Sequence, residues 1–275
     1  MSVLRTEMLL RRLFLLLLFC GGIWDAYATS FGNQNVWSEK PLPLVAHRGC
    51  WSGDSLPQNS LAAFRKALQQ DIYGTEFDVH QTADGKLVVN HDATFNGLAI
   101  AQTTYADLCR TTLPNGETIP LLEQFVRAYC EMHSSVFMVV ELKTCSVDAV
   151  VNMLQQYNVL SHALFISFSK EYCLQLVDKG LGPVTYYLNA DLTPQEIKDL
   201  GIGGIDYHFS HFQSHPEWIP ESQDLGVKLG VWTVNDPAMI RDFLDKSVVV
   251  TTDNVFLLFM NSKRADSCKT QRIDF

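Results

Sequence analysis

Glu76 and Asp78 stand two positions apart in the chain, as do Glu141 and Lys143, and each pair falls in a short apolar run. On a strand that spacing turns both members of a pair to the same side. One run therefore offers two carboxylates, and the other a carboxylate and an ammonium. Three carboxylates brought together without a cation repel one another and raise their pKa values. A hard divalent cation removes that cost, and an all-oxygen donor set favours Ca²⁺ or Mg²⁺ over Zn²⁺. His47 and His91 end two further runs. Imidazole titrates near neutrality, so such a pair can act as general acid and general base. Arg48 can grip phosphate oxygens with two parallel hydrogen bonds, whereas Lys143 offers a point charge. Taken singly, each feature has an ordinary reading: a solvated strand edge, a core histidine, an ion pair. The apolar neighbours Phe77 and Val79 argue against a solvated edge.

Groups from such distant positions meet only if the elements carrying them lie side by side. Strand-like runs occur at Leu44–His47, Thr75–Val79, Leu87–Asn90, Phe137–Leu142, Leu164–Phe168, Val184–Leu188, Gly204–His208, Leu229–Val234 and Val248–Thr252. Helical patterns lie between many of them, at Leu121–Met132, Val147–Tyr157, Lys170–Lys179, Pro194–Leu200 and Pro237–Lys246. Another begins at the capping pair Asn59-Ser60, with Leu61, Phe64 and Leu68 on one face. Apolar strands alternating with helices indicate a parallel sheet covered by helices. The expected fold is an α/β (β/α)8 TIM-type barrel spanning residues 40–265. A doubly wound sheet is the alternative, but the first strand lacks its glycine fingerprint. Nine candidates compete for eight barrel places. The turn Ala83-Asp84-Gly85-Lys86 suggests that the second and third form a hairpin, without deciding which strand is the extra one. In a barrel the acids, histidines and basic residues fall at the C-terminal strand ends, where active sites lie.

The whole chain has 275 residues, with 21 Lys+Arg against 30 Asp+Glu, a formal charge of −9. That balance argues against nucleic acid or an anionic membrane surface as partner. Residues 1–28 are expected to be a cleaved signal peptide. Arg5, Arg11 and Arg12 form a basic start, Leu13–Trp24 an apolar run, and Ala26-Tyr27-Ala28 a small-x-small site. The run is too short for a stable membrane span, and Phe19 before Cys20 fits a lipid anchor poorly. The expected location is periplasmic or secreted. Beyond Cys20 remain Cys50, Cys109, Cys130, Cys145, Cys173 and Cys268, without a C-x-x-C pair. Disulfides are permitted after export, although buried thiols are expected for most of these.

Taken in order, several short motifs resemble the glycerophosphodiester phosphodiesterase family. They are Val45-Ala46-His47-Arg48-Gly49, Pro57-Gln58-Asn59-Ser60, Glu76-Phe77-Asp78-Val79, Thr82-x-Asp84-Gly85 and Val88-Val89-Asn90-His91-Asp92. Ile119-Pro120-x-Leu122-Glu123, Glu141-Leu142-Lys143, Ser167-Phe168, Trp232-Thr233-Val234-Asn235 and Thr252-Asp253 follow. The resemblance runs from about residue 44 to 255. It implies a barrel enzyme that releases glycerol phosphate and an alcohol from deacylated phospholipids. It also implies Glu76, Asp78 and Glu141 as ligands of a divalent cation, His47 and His91 as the acid–base pair, Arg48 and Lys143 as phosphate contacts, and Trp232 as a pocket wall. One departure stands out. The family usually has Glu where this chain has Gln58, which keeps an acceptor oxygen but loses a charge. Gln58 is therefore expected behind the ligands, near the cation or Arg48.

His208, His211 and His215 have the spacing of a metal site, but Pro216 and nearby aromatics suggest a loop, with His208 facing the substrate. Residues 96–113 are available as a cap over the pocket. Lysophospholipids are an alternative substrate class on the same barrel. A barrel glycosidase using Glu76 and Glu141 would leave His47, His91, Arg48 and Lys143 without roles. A non-catalytic binding barrel is suggested by Gln58 alone.

Overall fold

The computed structural model describes residues 41–53 and 55–256. Residues 1–28, expected to be a signal peptide, and Cys20 and Cys268 lie outside the described residues. Strands β1 (Leu42–Ala46), β2 (Ile72–Gln81), β6 (Phe137–Leu142), β7 (Ala163–Ser167), β8 (Thr185–Tyr187), β9 (Gly204–His208), β10 (Lys228–Trp232) and β11 (Val249–Thr252) pair in parallel, neighbour to neighbour. The β1–β2 and β1–β11 pairings close them into an eight-stranded barrel. The extra strand is β3 (Leu87–Val89). It pairs antiparallel with the C-terminal end of β2 through Val79↔Val89. β2 has room for both roles because its 10 residues overrun the barrel wall.

The alternation along β2 explains why the acids face inward. Phe77 lies in the layer between barrel and helices, 5.5 Å from the Phe64 ring and 5.0 Å from that of Phe125. Those two rings belong to the helices Leu61–Ala67 and Leu122–Met132. Anchoring Phe77 outward turns Glu76 and Asp78 into the barrel. Side chains of Ser60, Ser146, Ser169, Thr193 and Asp236 each accept a hydrogen bond from a first-turn amide of the helix that follows. Each cap is worth about 1 kcal/mol.

After β1 the chain turns sharply, with Arg48 at φ 56° and Gly49 at φ 83°. A Cβ on Gly49 would come within 2.8 Å of the Ala63 carbonyl carbon. Gly49→Ala is therefore expected to lower stability by about 1–3 kcal/mol. A urea midpoint equal to the wild type's would contradict this reading of the turn.

Residues 94–108 form a small excursion of β4 (Thr94–Phe95), β5 (Leu98–Ala99), a 3₁₀ turn at Ile100–Gln102 and the helix Tyr105–Leu108. Phe95, Ile100 and Leu108 pack with Val88 and Ile119 in a core of their own. The excursion braces the β2–β3 hairpin, and none of the residues 96–113 lines the barrel-mouth cavity that a cap there would close. The stretch after β9 is helical instead of an open loop. Helices Phe209–Ser214 and Trp218–Leu225 flank Pro216, which falls in the break between them. No helix among the described residues is long and apolar enough to cross a membrane. Cys109, Cys130, Cys145 and Cys173 are free thiols, and burial pushes Cys145 and Cys173 up to about 12.

Candidate active site

The acidic centre follows from strand register. Asp78 of β2 lies beside Glu141 of β6, and Glu76 is the next inward position on β2. Each of the three can offer a carboxylate oxygen within 4.8 Å of the others. All three are buried, Glu76 at 2% exposure. Burial, followed by the charges of Asp78 and Glu141, pushes Glu76 well above the ordinary carboxylate range. Burial and Asp78 push Glu141 up to about 7, against the opposing pull of Lys143. Glu76 Oε1 has no hydrogen-bond partner. A crowded, buried, oxygen-only triad with an orphaned oxygen fits a hard divalent cation, and among the described residues no other group of three or more acids, histidines or cysteines is so placed.

Lys143 follows β6, where its amide donates to Val79 O at 3.1 Å. Its Nζ lies 2.6 Å from Glu141 Oε1 and 3.2 Å from Asp78 Oδ1. Burial opposes the Lys143 charge, but Glu141 and Asp78 outweigh it and hold the ammonium above its usual range.

The loop Pro57–Ser60 braces the site from behind. Gln58 Oε1 accepts from Arg48 Nη1 at 2.6 Å, so the departure from the usual family residue bears directly on Arg48. Asn59 Nδ2 donates to Asp78 Oδ2 at 2.7 Å and fixes that carboxylate's rotation. The left-handed turn aims the Arg48 amide at Glu76 Oε2, 2.8 Å away. One residue thus orients Glu76 through its backbone, while its guanidinium, held by Gln58 and with Nε 3.7 Å from Asp78 Oδ2, lines the pocket wall.

His47 owes its setting to barrel closure. Ala46 of β1 lies beside Thr252 of β11, so the next residues, His47 and Asp253, emerge together. His47 Nδ1 and Asp253 Oδ1 are 2.7 Å apart. Asn235 Nδ2 donates to the other oxygen of Asp253 at 2.8 Å. Burial raises the Asp253 pKa, yet the hydrogen bonds from His47 and Asn235 more than offset it and hold the acid below its usual range. An ionised carboxylate only accepts, so His47 Nδ1 carries the donated proton and Nε2 faces the acids, 4.0 Å from Glu76 Oε2. His91 is placed by the hairpin, where the Asn90 amide donates to Asp78 O at 3.0 Å. Its Nδ1 sits 2.8 Å from Asp92 Oδ1, which again leaves Nε2 for chemistry.

These groups open on one cavity of about 190 Å³. Its lining brings together His47, Arg48, Glu76, His91, Glu141 and Lys143, with Trp232 as a wall. Asp78 stands beneath as a buried partner of Lys143. Trp232 Nε1 donates to Asp206 O at 2.8 Å, and its ring meets Phe168, which is 45% exposed at the rim. A larger groove of about 740 Å³ beside the helices Trp218–Leu225 and Pro237–Asp245 has Asp242, Asp245 and Lys246 as its only charged lining. It holds none of the chemistry-bearing groups. The three late histidines part company: His208 Nδ1 bonds Ser210 Oγ at 2.8 Å, and His215 stacks on Trp218 at 4.4 Å. His208 packs on Trp232 at 5.2 Å from outside the cavity lining. From the sequence Asn59 had a place only in a helix cap, and Asp253 and Asn235 had no role, although each stands in a quoted motif. Asp206 had no signal at all, being one acid inside an apolar strand.

Comparison with known proteins agrees with this geometry. The Glycerophosphoryl diester phosphodiesterase family is matched over residues 47–256. A glycerophosphodiester phosphodiesterase of Caldanaerobacter subterraneus subsp. tengcongensis is 26% identical over 214 residues, 70% of this chain and 85% of the relative. The crystal structure of a glycerophosphodiester phosphodiesterase from Parabacteroides distasonis has a TM-score of 0.75 and 32% identity, covering 84% of this chain and 99% of that one. A phosphodiesterase of Oleispira antarctica, solved with the product sn-glycerol-3-phosphate, shares the fold with a TM-score of 0.63 at 24% identity, covering 76% and 92%. The glycosidase and non-catalytic readings give way to this match. The chain belongs to the glycerophosphoryl diester phosphodiesterase family, an enzyme family of phosphoric diester hydrolases.

Proposed function

We propose that the protein hydrolyses glycerophosphodiesters to glycerol phosphate and an alcohol, with a divalent cation of the Ca²⁺ or Mg²⁺ type held by Glu76, Asp78 and Glu141. The observation that carries this reading is the meeting, at one barrel mouth, of an oxygen-only triad, two imidazoles and two cationic side chains. The product complex of the Oleispira antarctica relative supports the substrate class. The basic start and apolar run of residues 1–28 support export.

When bound, the cation supplies charge that polarises a phosphoryl oxygen and acidifies the attacking hydroxyl, whether of water or of the neighbouring glycerol. Arg48 and Lys143 bind the phosphate oxygens and stabilise the charge that builds on them. One imidazole Nε2 takes the nucleophile's proton, and the other returns a proton to the departing alcohol oxygen. Asp253 and Asp92 hold the two rings so that Nε2 is the working atom in each. The direct test is a head-group panel, including a lysophospholipid, assayed with Ca²⁺, Mg²⁺ and chelator. Release of glycerol phosphate with either cation supports the reading, and turnover of the lysophospholipid alone contradicts it.

The raised carboxyls also predict how stability depends on pH. Glu76 and Glu141 are protonated in both folded and unfolded chains at low pH and then cost nothing. As pH rises past the ordinary carboxylate range, the unfolded chain ionises while the folded site keeps its protons. Stability is lost up to the folded value, about 7 for Glu141. Asp253, shifted the other way, contributes fully above pH 5. The cation-free protein should therefore melt lower at pH 8 than at pH 5. Cation at about 100 times its Kd should restore roughly 5–10 °C at pH 8 and much less at pH 5. Thermal melts at both pH values check this, and an equal gain at both would count against the triad as the ligand set.

A further inference from the structure

Asp206 lines the same cavity and has no part in the mechanism above. It is 5% exposed, and its Oδ1 has no hydrogen-bond partner. It is set below the wall tryptophan: on the paired strands β9 and β10, His208 lies beside Trp232 and Asp206 beside Gly230. Gly230 is what makes room for it, since a Cβ there would stand 2.7 Å from Asp206 Oδ1. Buried acids without partners are costly, so a carboxyl kept at a cavity wall over a clear strip of backbone points to a ligand that supplies the missing partner.

We infer that Asp206 recognises the hydroxyl groups of the substrate's glycerol portion by hydrogen bonds. It thereby selects glycerol-bearing diesters over phosphodiesters that lack those hydroxyls. This rests on the proposed glycerophosphodiesterase reading and adds its specificity determinant. Arg48 and Lys143 already answer the phosphate, and Trp232 and Phe168 offer only apolar faces toward the rim. Besides the neutral hydroxyls of Thr233 and Thr251, Asp206 is the one carboxyl of the lining outside the acidic triad, and so the strongest hydrogen-bonding group left for a hydroxyl. Burial, and then the field of Glu141, push its carboxyl up to about 8, so near neutral pH it can donate as well as accept.

The test uses the cation-loaded full chain with glycerophosphocholine and with bis(p-nitrophenyl) phosphate, which has no glycerol. Product inhibition by sn-glycerol 3-phosphate is compared with inhibition by inorganic phosphate. Asp206→Leu should raise KM for glycerophosphocholine and Ki for glycerol phosphate by roughly 10- to 100-fold. The corresponding changes for bis(p-nitrophenyl) phosphate and for inorganic phosphate should be at least about tenfold smaller. Asp206→Asn, which keeps a donor and an acceptor, should recover most of the loss. Equal losses on both substrates, or none, would overturn the assignment. If the leucine variant does not fold, Gly230→Ala must produce the same selective loss by crowding the carboxyl, and an unselective change would overturn it equally. A wild-type protein that cleaves bis(p-nitrophenyl) phosphate but not glycerophosphocholine would defeat the parent reading and this inference with it.

Discussion

Glu76→Gln is expected to lower kcat on a glycerophosphodiester by about 10³-fold or more while leaving the fold intact. The magnitude follows from losing a cation worth several kcal/mol of transition-state stabilisation, each 1.4 kcal/mol or so being tenfold in rate. Glutamine is more informative than alanine here. It keeps an acceptor oxygen for the Arg48 amide, which donates to Glu76 Oε2 at 2.8 Å, so the left-handed turn stays satisfied. What it removes is charge. In the cation-free protein that charge is a burden, since burial and the neighbouring acids already push Glu76 toward its neutral form. The variant's cation-free melting temperature should equal or exceed that of the wild type, and its gain on adding Ca²⁺ or Mg²⁺ should shrink. A variant that keeps both its activity and its cation-induced stabilisation would remove Glu76 from the ligand set.

The second large effect belongs to the histidines. His47→Ala and His91→Ala should each cost about 10²- to 10⁴-fold in kcat, the usual contribution of a positioned proton donor or acceptor. The two should differ in kind. With one group accepting and one donating, activity follows a bell-shaped dependence on pH, and each substitution should erase a different limb. The limb lost with His47 identifies its role. Both limbs surviving in both variants would mean that other groups move the protons. Asp253→Asn should act more weakly through the same ring. Asparagine can present its amide to His47 Nδ1, now 2.7 Å from the carboxylate, and so favours the wrong tautomer.

The core of the site was legible in the sequence because strands reduce it to spacing. Glu76 and Asp78, two residues apart, had to share a face, and apolar Phe77 told which face met the helices. Strand order was legible from the alternation of apolar runs and helices, which allows few parallel topologies. What spacing cannot carry is contact between distant segments. His47 meets Asp253 across a separation of 206 residues, a pairing that exists only because β11 returns to β1. Asp206 was hidden for a related reason: its neighbours Ile205 and Tyr207 face the helices, so its strand reads as apolar. The extra strand could not be chosen beforehand because β2 serves both barrel and hairpin along its length. The helices around Pro216 were missed because each is short, and the proline reads as a breaker when it stands between them.

Turnover of a glycerophosphodiester at this barrel mouth should depend on a cation held by Glu76, Asp78 and Glu141. The measurement closest to it is glycerol phosphate release from glycerophosphocholine by chelator-stripped protein, before and after Ca²⁺ or Mg²⁺ is restored. The prediction is no release when stripped and full recovery with at least one of the two cations in the wild type, but not in Glu76→Gln. Undiminished release in chelator, or recovery in the variant equal to the wild type's, would contradict it.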